Sequence, residues 1–156
     1  MPDQADADPV SVLLDWLRVH PEAQELVGGP EHFSGIMEAP WPHVVLSDGP
    51  GGSLRDLTWS AEPEVSVEVY SAPNGAPGSA ELRRILVRLL RICRNLSEEQ
   101  LVDFFTPVVC MVRPSGGYQM QTLTNGQMRC AAGLLVTIHP PARDQPVPPS
   151  PPLPIP

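Results

Sequence analysis

The residues that could carry acid–base, nucleophilic or metal chemistry are few and scattered. The four histidines lie far apart and lack the short spacings of a metal site, so we interpret them as loop or strand-edge residues: His20, His32, His43 and His139. Three cysteines stand among apolar residues without a Cys-x-x-Cys spacing, which predicts reduced core residues of a cytosolic protein: Cys93, Cys110 and Cys130. All ten basic residues are arginine, which excludes a phosphate-loop lysine and a Schiff-base lysine. We therefore expect no catalytic residue, no metal site and no cofactor, and a protein that is not an enzyme.

Acidic residues cluster near one alternating segment in the middle of the chain. Glu64 and Glu68 can share a strand face, and Glu62 lies beside them. A solvent-facing sheet surface is favoured here over a paired-carboxylate active site. The Asp48 to Gly52 segment lacks a following helix and a lysine, so it is interpreted as a mobile turn and not as a phosphate loop.

Arginines form the second charged group. Arg84, Arg88 and Arg91 fall in one stripe of a predicted amphipathic helix, which is either a solvated face or a contact with an acidic neighbouring subunit. Residues 1–78 carry a net charge of −11 and residues 79–156 a net charge of +3. This asymmetry favours contacts between copies over nucleic-acid binding, because an acidic protein gains little counterion release from phosphates. The predicted subunit-interface residues are Arg84, Arg88, Arg91, Glu62, Glu64 and Glu68.

The elements that position these charges are a strand from Glu64 to Ala72 and a helix from about Ser79 to Arg94. Valines alternate with polar residues in the strand, and leucines recur at helical spacing in the helix. Before them we predict a helix beginning at Asp8-Pro9, a short helix from Pro21 to Val27, and strands near residues 32–37 and 43–47. After them we predict a separate helix over residues 97–105, with Ser97 as N-cap and Gln100 in a capping box.

Strands are then expected over residues 108–113, 118–123 and 128–139, the last two flanking the Asn125-Gly126 turn. The predicted fold class is α+β, with an antiparallel or mixed sheet, helices packed on one face, and the order α-β-β(-β)-α-α-β-β.

One domain over residues 9–139 is expected, with a long hairpin projecting at about residues 48–61. Residues 1–8 are predicted to be a disordered acidic leader. Nine of the 21 prolines fall in residues 140–156, which predicts a disordered proline-rich tail. The chain has no apolar run long enough to span a bilayer and its N-terminus is unlike a signal peptide, so we expect a soluble protein made in a cytoplasm.

The order of these segments resembles the tail terminator (tail-completion) proteins of long non-contractile-tailed phages. The resemblance rests on the helix at Val12 to Leu17, the turn of helix from Pro21 to Gly29, the Val65 to Tyr70 strand, the Ala80 to Ile92 helix, and the apolar strand from Leu134 to Ile138. The long hairpin and the proline-rich tail depart from the usual short form of the family.

This resemblance implies a structural protein that forms a ring, expected to be a hexamer, at the head-proximal end of the virion tail after assembly in the host cytoplasm. Such a ring caps the tail tube, stops its polymerisation and offers a docking surface for the head. The implied partners are other copies of the chain, the tail tube protein and a head-completion or connector protein, with DNA only as passing cargo and no membrane. The tube- and neck-contact candidates are Leu54, Arg55, Leu57, Trp59 and Tyr118.

Two alternatives remain open at this point. One is a head-completion or neck connector protein. The other is a cytosolic adaptor, because Arg143 to Pro149 matches a basic-x-x-Pro-x-x-Pro ligand pattern of SH3-type domains.

Overall fold

A computed structural model describes residues 4–53, 61–103, 105–142 and 154 of the chain. Its helices and strands are α1 (Pro9–Val19), α2 (Pro21–Val27), β1 (Phe33–Ser34), β2 (His43–Ser53), β3 (Glu62–Tyr70), α3 (Ser79–Glu99), β4 (Val108–Pro114), β5 (Gln119–Thr122) and β6 (Met128–His139). The sheet order is β1-β2-β3-β6-β4, with β5 also paired to β6. Strands β1 and β2 pair in parallel, and the other pairings among these described strands are antiparallel. The predicted α+β class with a mixed sheet is confirmed.

The first two helices begin and end as the sequence predicts. The Asp8 carboxylate accepts a hydrogen bond from the Val10 backbone N–H at 3.0 Å, and Pro9 stands at the first helical position, where its missing N–H costs nothing. Gly28 ends α2 with a φ of 118°, a left-handed conformation that glycine adopts without steric penalty.

The core lies between the helices and one face of the sheet. Val65, Val67 and Val69 of β3 are fully buried, and so are Leu82 and Leu86 of α3. Both helical and strand periodicities therefore direct their apolar residues into a single cluster. Helix α1 packs on α3 as well, where the Trp16 indole N–H donates to the Ile92 carbonyl at 3.1 Å.

The separate helix predicted at residues 97–105 is wrong. Helix α3 continues through Ser97 to Glu99, because Leu96 is buried and the uninterrupted helix keeps it in the core. Ser97 Oγ donates to the Arg94 carbonyl at 3.3 Å instead of capping a new helix. Gln100 binds the edge of β4, where its amide nitrogen donates to the Val109 carbonyl and its amide oxygen accepts from the Val109 N–H.

Residues just outside both predicted ends of the domain are packed against it in the part of the chain that the structure describes. Gln4–Asp6 forms a turn of 3-10 helix, Gln4 donates to the Ile138 carbonyl at 3.4 Å, and Ala7 is buried. At the other end, Pro140 and Pro141 are buried although they belong to the predicted tail. Local composition misses the contact of Gln4 because its partner lies 134 positions away in the chain.

The exposed Cys110 corrects the prediction of three core cysteines, whereas His32 lies in a short turn and His43 at the start of β2, which fits the prediction of loop or strand-edge positions. His32 and His43 are buried; His32 donates to the Pro42 carbonyl at 2.7 Å, and His43 Nε2 lies 2.7 Å from Ser34 Oγ. Burial lowers the pKa of His43. Cys93 and Cys130 are buried as predicted, and burial raises the pKa of Cys93 to about 12, whereas Cys110 is exposed.

Strand β2 continues to Ser53 through the segment from Asp48 to Gly52, so the prediction of a mobile turn there is wrong. Strands β2 and β3 pair from His43 with Tyr70 to Ser53 with Glu62, with an irregularity between Asp48 and Gly52. Residues 54–60 of the predicted hairpin lie outside the described part. Within the described residues no helix is both long and apolar enough to cross a bilayer.

Candidate subunit-contact surfaces

The outward side of α3 forms a surface that we call the arginine face. It is lined by Ala80, Arg83, Arg84, Val87, Arg88 and Arg91. Ala80 and Val87 are two helical turns apart and run along its centre, and Val87 is 48% exposed. The opposite side of the same helix carries the buried leucines, so amphipathic periodicity alone places these arginines on the surface.

The arginines of this face differ in how far they are neutralised. Arg84 forms an ion pair with Glu81 at 2.9 Å, and Arg91 lies 4.0 Å from Glu22 of α2. Arg83 lies over the Tyr118 ring, 5.7 Å from its centroid. Arg88 is exposed and forms no salt bridge within 4.0 Å among the described residues, although it lines a cleft together with Glu22, Glu25 and Glu81. The predicted stripe of Arg84, Arg88 and Arg91 is therefore an exposed surface feature, in which Arg88 forms no salt bridge among the described residues.

The acidic residues of β3 have partners within the same chain. Glu68 accepts hydrogen bonds from Arg129 Nε at 2.8 Å and from the Tyr70 hydroxyl. Burial by itself would raise the pKa of Glu68, but the bonds from Arg129, Tyr70 and Ser66 and the charge of Arg129 outweigh it, so the pKa is lowered. The pKa of Tyr70 is raised by burial and by the Glu68 carboxylate.

Glu62 and Glu64 also have hydrogen-bond partners within the same chain. Glu62 binds Arg113 at 2.8 Å and the Thr137 hydroxyl at 3.2 Å. Glu64 accepts from the Gly51 N–H at 2.7 Å and from the Ser115 hydroxyl at 3.1 Å. A side chain on Gly133 would collide with Glu64 and Ser115, so the absence of a side chain there lets this carboxylate cross β6.

The structure does not bring the two predicted charge groups together within one chain. The buried valines of β3 face the helices, whereas Glu64 and Glu68 alternate with them and face away from the helices. Sequence reasoning missed the partners Arg113 and Arg129. Every second residue is buried over most of the strand Met128–His139. This alternation places Arg129 on the same outward face as Glu68, and it is the sequence pattern from which the pairing could have been inferred.

The tube- and neck-contact candidates are only partly described. Leu54, Arg55, Leu57 and Trp59 lie outside the described residues. Tyr118 is 47% exposed and contacts the arginine face through Arg83, which links the loop before β5 to α3.

A second surface, which sequence reasoning missed, lies between α1 and the segment that follows α3. We call it the acidic groove; it encloses about 380 Å³ and is lined by Asp6, Asp8, Val12, Asp15, Leu96, Leu101 and Pro107, among others. Leu101 is 94% exposed and the adjacent Val102 is 66% exposed. The groove therefore combines carboxylates with apolar side chains that this chain leaves open to water.

Neither surface has the features of a metal site. No group of three or more histidine, cysteine, aspartate or glutamate side chains with metal-binding geometry occurs in the part of the chain that the structure describes. The chemistry on these surfaces is ion pairing, hydrogen bonding and apolar contact, which are the interactions of protein recognition.

Comparison with solved structures identifies a similar fold in a virus-like particle. A chain from a structure described as "Virion of native gene transfer agent (GTA) particle" superposes with a TM-score of 0.56, at 15% sequence identity, over 81% of this chain and 91% of that chain. No protein-family model matches the sequence, and no curated protein is significantly similar to it. At this identity the likeness establishes a shared fold, including nearly the whole length of the particle's chain.

Proposed function

We propose that this protein is a structural component of a phage-like virion and acts as a tail terminator. The observation that carries the proposal is the shared fold with a chain of the gene transfer agent particle, because the match covers 91% of that chain and leaves little room for a different architecture. The order of helices and strands that resembles tail terminators supports the same assignment from the sequence.

The proposed mechanism is a ring of copies, expected to be a hexamer, that binds the end of a tail tube. Head-to-tail stacking of tube rings continues until a different protein occupies the end and presents a surface that the next ring does not fit. Termination of this kind requires two binding faces and a stable ring, and no catalytic group. The head-proximal face would then bind a head-completion or connector protein.

Surface charge supports assembly between copies. The arginine face carries the exposed Arg88, which forms no salt bridge among the described residues and is suited to binding a carboxylate of a neighbour. Arg84 and Arg91 take part with it in the proposed contact. Glu62, Glu64 and Glu68 are less suited to this contact than the sequence alone suggests, because each already has hydrogen-bond partners in its own chain.

The proposal is tested by light scattering with gel filtration and by negative-stain imaging of the protein mixed with assembled tail tubes and, separately, with portal-bearing heads. We expect rings that attach to one end of the tubes and stop their elongation. Attachment to heads alone would favour a neck connector. A strictly monomeric protein that binds neither partner would contradict the proposal.

A further inference from the structure

We propose that the arginine face of one copy docks head-to-tail into the acidic groove of a second copy. This inference rests on the proposed ring and names the two surfaces that close it. Both surfaces belong to the described part of the chain. The arginine face supplies cations, the acidic groove supplies carboxylates, and each also carries apolar side chains.

Charge is the first complement. Arg88 is an exposed cation that forms no salt bridge within 4.0 Å among the described residues, and Asp15 is an exposed carboxylate on α1 at the groove. Asp8 lies at the same groove, where its side chain already accepts from the Val10 N–H and the Ser11 hydroxyl. An arginine approaching the groove would therefore meet the Asp15 carboxylate first, because Asp8 is already engaged at the start of α1.

Apolar contact is the second complement. Ala80 and Val87 run along the centre of the arginine face, and Leu101 and Val102 are exposed beside the groove at 94% and 66%. Exposed apolar side chains next to a set of charges are typical of a protein contact surface. Covering Val87 with Leu101 of a second copy would remove both from water.

The distribution of charge selects a head-to-tail contact over a symmetric one. If α3 of one copy packed on α3 of another, arginines would face arginines, which opposes association. The carboxylates of β3 cannot serve as the complement without losing partners such as Arg113 and Arg129. The acidic groove combines the exposed Asp15 with the exposed Leu101, and a contact between two different surfaces generates a ring when its rotation closes.

The positions of the two surfaces allow this geometry. The groove is on the side of α3 that carries Leu96 and Gln100, whereas the arginine face is on the side that carries Val87. One copy can therefore offer its arginine face to one neighbour and its groove to another neighbour at the same time.

Charge reversal in the full-length protein tests the inference. Arg88→Glu and Asp15→Arg each replace a surface residue, and we expect each variant alone to self-associate at least about tenfold more weakly than the wild type, since like charges then meet. An equimolar mixture of the two variants should recover association. When the two variants alternate in a ring, the introduced glutamate meets the introduced arginine at one contact, and the original arginine meets the original aspartate at the next.

Two further chains complete this test. The chain that carries both changes should also recover association, because every contact then joins the introduced glutamate of one copy to the introduced arginine of the next. Glu38→Arg, which reverses an exposed carboxylate outside the groove, is the matched control and should associate as the wild type does.

Thermal unfolding of each variant separates loss of contact from loss of fold. Leu101→Asp provides a second test that cannot act through the core, because this side chain is 94% exposed; it should weaken association by a similar factor. If the wild type forms rings that none of these changes weakens, or if the mixture fails to recover association, the inference is wrong while the proposed function stands. If the two surfaces join copies as described but the rings do not bind tube ends, the tail-terminator function is wrong and the contact stands. A wild type that stays monomeric at all concentrations overturns both.

Discussion

Glu68 illustrates how single residues on the outer sheet face are used. The sequence suggests a free acidic cluster for a neighbouring subunit, but Glu68 has 15% of its side chain exposed and is bound by Arg129 at 2.8 Å. Arg129, Tyr70 and Ser66 donate hydrogen bonds to its carboxylate, and these bonds favour the ionised form. The Glu68 carboxylate therefore links β3 to β6 within one chain, and this makes it less available for a contact with a second copy.

We expect this arrangement to make the protein sensitive to acid. The pKa of Glu68 is lowered in the folded state from the ordinary value of 4.5, so the stabilisation is fully present above pH 4.5 and is lost as the pH falls through the folded-state pKa. Glu68→Gln should reduce the free energy of unfolding at pH 7 by about 1–2 kcal/mol, and the difference from the wild type should shrink as the pH falls below 4.5. Urea unfolding at neutral pH and at a series of acidic pH values measures this. Glu38→Gln, at an exposed carboxylate, serves as the control, and an equal loss at neutral and acidic pH would contradict the assignment to the ionised carboxylate.

Among the elements, α3 has more roles than its sequence pattern indicates. Its inner side supplies core leucines, its outer side forms the arginine face, and its last turn leads into Gln100. The Gln100 side chain occupies the backbone groups of Val109 at the outer edge of β4, and Pro114 at the other end of that strand has no N–H to offer. This arrangement leaves β4 poorly suited to pairing with a strand of another molecule, which is consistent with contacts between copies made through side chains.

Two substitutions test whether α3 continues through Ser97 or whether a new helix begins there, as the sequence suggests. Asp8→Ala should cost about 1 kcal/mol of unfolding free energy, because Asp8 caps α1 through the Val10 N–H. Ser97→Ala, at the residue with the equivalent sequence signature, should cost less than about 0.5 kcal/mol, because Ser97 lies within the last turn of α3 and caps no helix. Chemical denaturation of the two variants decides the matter. Equal losses would indicate that a helix does begin at Ser97.

At the scale of the whole molecule, the domain extends further toward both chain ends than composition suggests. Gln4 and Ala61 both bind the backbone of Ile138, so the N-terminal turn and the start of β3 meet at the end of β6. The buried Pro140 and Pro141 follow directly after this last strand. The buried part of the domain therefore includes Pro140 and Pro141, beyond the predicted end at His139.

Two truncations test this boundary and the adaptor alternative together. A chain ending at Ala142 should keep the unfolding free energy and the self-association of the full-length protein. A chain ending at His139 should lose about 1–2 kcal/mol of stability, because two buried prolines are removed. Thermal unfolding and light scattering measure both effects. If the chain ending at Ala142 instead loses its only partner while its fold is unchanged, the adaptor alternative gains the support that the tail terminator loses.

Much of the fold was predictable because its signals are local. The Asp8-Pro9 helix start, the Gly28 helix end, the valine alternation of β3 and the Asn125-Gly126 turn each depend on neighbouring residues only. The extent of α3 was not predictable in this way, because the burial of Leu96 depends on the sheet and overrides the capping signature at Ser97. The candidate site divides similarly, since helical periodicity predicts the arginine face but no local pattern predicts the acidic groove, which joins α1 to the segment after α3.

By itself, the sequence determined which residues become apolar faces and that the arginines of α3 lie outside, because the periods of helices and strands assign each side chain to one side of its element. Only the tertiary structure decided which charges are left for a partner. Glu68 and Arg129 are 61 positions apart and meet because β3 and β6 pair in one particular register, which neutralises the carboxylate that looked available. Arg88 forms no such ion pair among the described residues and stays exposed. Ion pairing depends on distances of a few ångströms between side chains, and only the tertiary structure sets those distances.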